Sequence, residues 1–162
     1  EGNVLYPLNQ LKDIYPDVYA DAVKKYKSRE SLMEWRIPFL DCMWNDVLHM
    51  SAVHPIEIRK ALDESISGPK WRFYEIDPSL LEKERTIIYL YKHKTKKENL
   101  QEDNFASYDP GNIVMYSFLP EDTKLYYKEE IQKGVNPLLW HKIPHFLYKG
   151  SLDTTKLKII EA

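Results

Sequence analysis

The chain has 162 residues, 43% hydrophobic and 30% charged, which excludes a disordered chain and provides enough apolar surface for one domain without staples. Its 23 basic and 25 acidic residues leave a formal charge of −2, which argues against broad electrostatic capture of nucleic acid. The single cysteine, Cys42, excludes an intrachain disulfide and a Cys-rich zinc site.

Taken in order, residues 1–14 carry Leu5, Leu8, Leu11 and Ile14 at a spacing of three, which predicts a helical turn or an arm packed on the domain. Glu1-Gly2 does not read as a natural start, so it is expected to be a scar or the edge of an ordered chain. Residues 16–27 predict a helix. Pro16 suits its first position, Asp17 its positive end, and Lys24, Lys25 and Lys27 its last turn. Tyr19, Ala22, Val23 and Tyr26 form its apolar stripe. Ser28 caps a second short helix through Leu32 and Trp35, ended by Pro38. Residues 37–40 predict a short strand or an extended connector.

Residues 47–53 predict a strand in which His49 and Ser51 share one face and Leu48, Met50 and Ala52 the other. His54-Pro55 opens a helix packed through Ile58, Ala61 and Leu62 and stopped by residues 65–69. Residues 71–76 and 86–91 predict strands, the second central by its apolar, β-branched content. The polar excursion 92–109 runs from basic (Lys92, Lys94, Lys96, Lys97) to acidic (Glu98, Glu102, Asp103). It reads as a solvated loop or frayed helix, with an interaction surface as the alternative. After the turn at 109–112 come a strand at 113–118, a helix at 120–133 stopped by Gly134, extended segments at 138–143 and 146–148, and a last strand at 157–160. These elements predict an α+β fold over residues 1–162, a mixed or mostly antiparallel sheet with N-terminal helices packed on it. No apolar run has the length of a membrane span, and no signal-peptide pattern opens the chain. A soluble, cytoplasmic protein is therefore expected.

Chemistry is sought first at His49 and Ser51. An imidazole and a hydroxyl at a strand end, before a helix start, suit a sugar hydroxyl or a phosphate. A packed histidine is the plain alternative. The run Leu48-His49-Met50-Ser51, followed by Ile58 and Ala61-Leu62, resembles the opening of ADP-ribosyltransferase-like enzymes, in particular the RNA 2′-phosphotransferase branch and the branch that modifies DNA. That resemblance covers about twenty residues. It implies a split mixed sheet holding NAD in a cleft, and a tyrosine from a middle strand, Tyr74 or Tyr89. Where a late-strand glutamate is implied, residues 138–143 carry His141. The general make-up also resembles small bacterial cytosolic proteins.

The remaining candidates are weaker. The five glycines are too scattered for a Walker loop or a dinucleotide fingerprint. His141 and His145 have metal-ligand spacing, but Pro144 breaks the helix that spacing needs, so no metal is expected. Cys42 could act as a nucleophile with His49 as base and Asn45 or Asp46 as orienter, but reads more simply as a small buried residue. Arg72 and Arg85 adjoin strands and could line a cleft for phosphate, or bond to Glu75 and Glu84 at strand edges. The expectation is a protein that binds or acts on a nucleotide-like ligand of the NAD or ADP-ribose type. Its site is His49, Ser51, Tyr74, Tyr89 and Arg72, with Tyr91 a further stacking candidate. The alternative is a non-catalytic protein-interaction domain whose aromatic strands are core.

Overall fold

Residues 86–89 show no polar alternation, the pattern of a strand covered on both faces. The computed structural model describes residues 3–62, 71–92 and 100–162, and it buries all four of them. In chain order the elements are β1 (Val4–Leu5), α1 (Leu8–Ile14), α2 (Pro16–Ala22), β2 (Arg36–Ile37), β3 (Cys42–Met43), β4 (Leu48–Met50), α3 (Pro55–Ala61) and β5 (Arg72–Glu75). There follow β6 (Thr86–Tyr89), β7 (Phe105–Ser107), α4 (Glu121–Gln132), β8 (His145–Tyr148), β9 (Leu152–Asp153) and β10 (Lys158–Glu161). Short 3₁₀ turns join many of them. The fold is α+β, and every strand pairing among the described residues is antiparallel.

The principal sheet has the order β4-β8-β6-β7. Its register places His49, Leu147 and Ile87 in one row and Met50, Phe146 and Ile88 in the next. Opposed residues share a face, so the two rows point to opposite sides. On one side Ile87, Tyr89 and Leu147 pack against Ile37, Leu40, Trp44 and Phe105. On the other, Ile88, Phe146 and Tyr148 pack against Leu81, Tyr108 and Leu152. A third cluster joins Ile58 and Leu62 to Tyr127 of α4 and to Ile143, which leads into β8.

The N-terminal helices lie at the margin of this core. Neither α1 nor α2 buries a residue. Asn9 Nδ2 ties α1 to the Trp44–Asp46 turn by donating to Asp46 Oδ1 at 2.7 Å, and Asp46 Oδ2 accepts from the Met43 amide at 2.7 Å. α3 begins at Pro55, and His54 Nδ1 accepts from the Ile56 amide at 3.3 Å. α4 ends in a Schellman arrangement. Gly134 takes φ +71°, its amide donates to Ile131 O, and the Val135 amide donates to Glu130 O.

Several sequence expectations change. The strand expected at 47–53 keeps only Leu48–Met50, because Ser51 Oγ accepts the Val53 amide at 3.0 Å and turns the chain. The strand expected at 113–118 is a 3₁₀ stretch, Pro110–Tyr116. Asp109 caps it through the Gly111 amide and the Asn112 side chain, and Ile113 and Tyr116, three apart, share its packed side. Residues 138–143 form turns. The loop expected at 92–109 contains β7, which completes the sheet. The helix stop expected at 65–69 and residues 93–99 of the polar excursion lie outside the described residues. Among the described residues no helix is long and apolar enough to cross a membrane.

Leu147 is fully buried at the centre of β8, between two partner strands. Leu147→Ala is expected to cost about 2–5 kcal/mol of unfolding free energy, read from urea denaturation midpoints.

Candidate functional site

Among the described residues the sheet has an open edge at β4, which pairs only with β8. Beside it stands the two-stranded ribbon of β5 and β10, in which Tyr74 is opposite Ile159 and Phe73 opposite Ile160. Between edge and ribbon lies a cleft of about 360 Å³. One wall is residues 49–55, which run from β4 into α3. The other is residues 73–76 with Ile160. Its floor and ends are apolar: Phe146 of β8, Leu81, Ile113, Leu5, Ile58 and the Trp140 ring. Polar groups are few. Polar side chains among the lining residues are those of Ser51, His54, Tyr74, Glu75 and Trp140, while the His49 ring points to the side of Leu147 and Trp44.

His49 is oriented by the turn before it. Its Nε2 lies 2.9 Å from the Trp44 carbonyl, which can only accept, so Nε2 carries the proton. Nδ1 is then the acceptor nitrogen, and no hydrogen bond to it is made by the described residues. Trp44 lies against the ring at a centroid distance of 4.7 Å, and His145 meets it edge-on at 5.9 Å. His145 is 6% exposed and is ringed by Trp44, Tyr89, Tyr91 and Trp140, with Nδ1–H donated to the Ile143 carbonyl at 2.7 Å. Burial is the main cause that pushes the His49 pKa down to about 3, and the neighbouring His145 adds to it. Burial likewise pushes His145 down to about 4. Both rings are therefore neutral near pH 7.

The structure brings together three of the five sequence-predicted site residues: His49, Ser51 and Tyr74 line one cleft. Tyr89 does not join them. It is 1% exposed and packs against Trp44 and Phe105 on the opposite face of the sheet. Tyr91 is half-buried beside Tyr89 and His145, and burial raises its phenol pKa. Arg72 is exposed on the ribbon opposite Glu161, outside the cleft wall. Arg85 is held by the Lys149 carbonyl, Glu82 and the Tyr148 ring, and Glu75 bonds to Lys158 at 2.9 Å. Arg85 thus pairs with Glu82 and not Glu84, and Glu75 with Lys158 and not Arg72. Phe73, Trp140 and Ile160 are cleft residues that the sequence did not single out. The ribbon pairs residues 72–75 with 158–161, a contact with no local signal.

The other nucleophile and ligand candidates resolve into packing. Cys42 is buried in the first core cluster, and its thiol is pushed up to about 11, chiefly by burial. His141 is half-buried and stacks on Tyr126 of α4 at 3.9 Å, apart from the His49–His145 pair. Among the described residues no three His, Cys, Asp or Glu side chains are placed to hold a metal ion. The chain matches no protein-family model, no curated protein and no solved structure.

The neutral histidine pair has a pH consequence. In the unfolded chain each imidazole takes a proton near its ordinary value of 6.5, whereas the folded state holds out until about 3 or 4. Stability is therefore complete above 6.5 and declines as pH falls below it, by up to about 1.4 kcal/mol per pH unit for each histidine. Urea denaturation between about pH 7.5 and pH 4.5 checks this, with a shallower loss expected in His145→Phe than in the parent. For Cys42, alkylation by iodoacetamide at neutral pH is expected to be on the order of a hundredfold slower in the folded protein than in guanidinium, read by mass spectrometry.

Proposed function

We propose that the protein is a non-catalytic binding module whose working surface is the cleft between β4 and β5, and that its ligand is largely apolar and uncharged where it enters the cleft. The observation that carries this reading is the convergence of His49, Ser51 and Tyr74 on one concave, mostly apolar space. Its volume, about 360 Å³, falls within the usual range for a ligand pocket. Ser51 and Tyr74 supply hydroxyls that donate or accept. Phe73, Trp140 and Phe146 supply the apolar contact that drives binding. Among the described residues no activated nucleophile stands beside His49, and Cys42 is buried away with a raised pKa, which supports binding over chemistry.

A nucleotide-like ligand of the NAD or ADP-ribose type is the second reading. The rings of Phe73, Tyr74, Trp140 and Phe146 favour it, since a base could lie among them. A pyrophosphate is less well served. Among the described residues lining the cleft, none is Lys or Arg, and the one ionised side chain is the Glu75 carboxylate. The uncharged ligand therefore has the better support.

The uncharged dye Nile red tests the reading. Its fluorescence is expected to rise saturably at micromolar protein, with affinity lost at least about fivefold in the cleft-filling variants Ala52→Trp and Ser51→Phe. Circular dichroism establishes that each variant is folded. Saturable binding that neither variant changes would place the ligand elsewhere. Displacement of the dye by NAD or ADP-ribose would select the nucleotide reading.

A further inference from the structure

The cleft walls have a pattern that side-chain chemistry alone does not explain. A strand presents every second residue on a given face, but presents all of them along an edge. His49 and Met50 of β4 line the cleft consecutively, and so do Phe73, Tyr74 and Glu75 of β5. Each strand therefore turns an edge, not a face, to the cleft. Each edge is also open. β4 pairs only with β8 and β5 only with β10, and no backbone hydrogen bond joins the two walls among the described residues. An open edge offers a row of amides and carbonyls at strand spacing. This cleft places the outward backbone groups of β4 on one side of an apolar floor and those of β5 on the other.

From this we infer that the ligand is an extended peptide segment with alternating apolar side chains and a flanking Lys or Arg, bound as an added strand on β4. The inference rests on the reading of the cleft as the binding site and names the partner's class. Main-chain bonds to the β4 edge extend the four-stranded sheet to a fifth strand. Side chains on one face of the peptide meet the apolar floor at Phe146, Leu81 and Ile113, and Phe73 and Ile76 close the far wall. The charge preference follows from the rim. Glu75 lines the cleft, and its bond to Lys158 uses Oε2, which leaves Oε1 for a cation. A basic residue at the end of an apolar run complements this carboxylate. β4 is three residues long, so the paired segment is short and its affinity modest.

The test is competition. Octapeptides with Val and Thr alternating and Lys at one end are titrated against Nile red bound to the whole chain, beside the same peptides ending in Glu. The Lys peptides are expected to displace the dye, and the Glu peptides to bind at least about threefold more weakly. Glu75→Lys is expected to reverse that order. N-methylation of single peptide amides is expected to weaken binding at alternate positions only, by about threefold to tenfold at each bonded amide. Amide shifts in the ¹⁵N spectrum are expected at residues 48–52. Dye bound in the cleft but displaced by no peptide, or peptides that bind regardless of N-methylation, overturns the strand-addition inference and leaves the cleft reading intact. Dye that ignores Ala52→Trp and Ser51→Phe overturns the cleft reading itself. Displacement by self-association at high protein concentration, seen as a dimer in ultracentrifugation, assigns the edge to a second copy and also overturns the inference.

Discussion

The structure depends on two adjacent strands, β6 and β8, whose eight residues are all buried. Strands covered on both sides require apolar material above and below, and the chain supplies it from distant places. The segment around residues 37–47 covers one face, and residues 81, 108, 113, 116 and 152 cover much of the other. Two of the polar side chains in this pair, Thr86 and His145, are satisfied locally. Thr86 Oγ1 donates to the Glu82 carbonyl at 2.7 Å and His145 Nδ1 to Ile143 at 2.7 Å. An unpaired group there would cost about 1–3 kcal/mol, which is why a threonine and a histidine are tolerated in an otherwise apolar pair.

The cleft exists because the sheet stops at β4. A further strand of this chain on that edge would fill it. Instead Ser51 bends the backbone and Pro55 begins a helix, so the strand ends after Met50. The ribbon of β5 and β10 faces the gap without joining the sheet. Short edge strands and early turns are common protections against unwanted pairing. Here the same devices leave an opening one cleft wide, floored by the second face of the core. His49 belongs to both regions: its ring packs with Trp44 and His145, while it also lines the cleft.

Sequence reasoning reads the local features well. The α3 start at His54-Pro55, the stop of α4 at Gly134 and the buried strand at 86–89 follow from capping, glycine conformation and unbroken apolar content, all of which act within a few residues. His49 and Ser51 were expected on one strand face, but the strand ends at Met50, and the two residues line the same cleft from a strand and the turn after it. Tyr74 and Tyr89 were not separable, because both sit in aromatic strands and only tertiary pairing distinguishes them. Tyr74 belongs to a half-exposed ribbon and Tyr89 to the buried pair. The segment at 113–118 misled through its composition: Val114, Met115 and Phe118 suggest a strand, yet all three are exposed and the backbone follows the Asp109 cap. β10 was expected near its place, but its partner, some eighty residues earlier in the chain, has no signature that short-range patterns carry.

The order of the strands in the chain has a consequence for how the molecule is made. β8 holds β4 to β6, and it is the last strand of that sheet to be synthesised. Until residues 145–148 leave the ribosome, β6 has only β7 to pair with and β4 has no partner among the described strands. A nascent chain therefore spends the time needed to add residues 108–148 with an apolar two-stranded fragment exposed. At about 5–20 residues per second that interval lasts seconds. Long-range pairing of this kind also slows refolding of the finished chain. Truncation before β8 removes the strand between two others, so a shortened chain is left with unpaired edges that favour aggregation over a smaller fold.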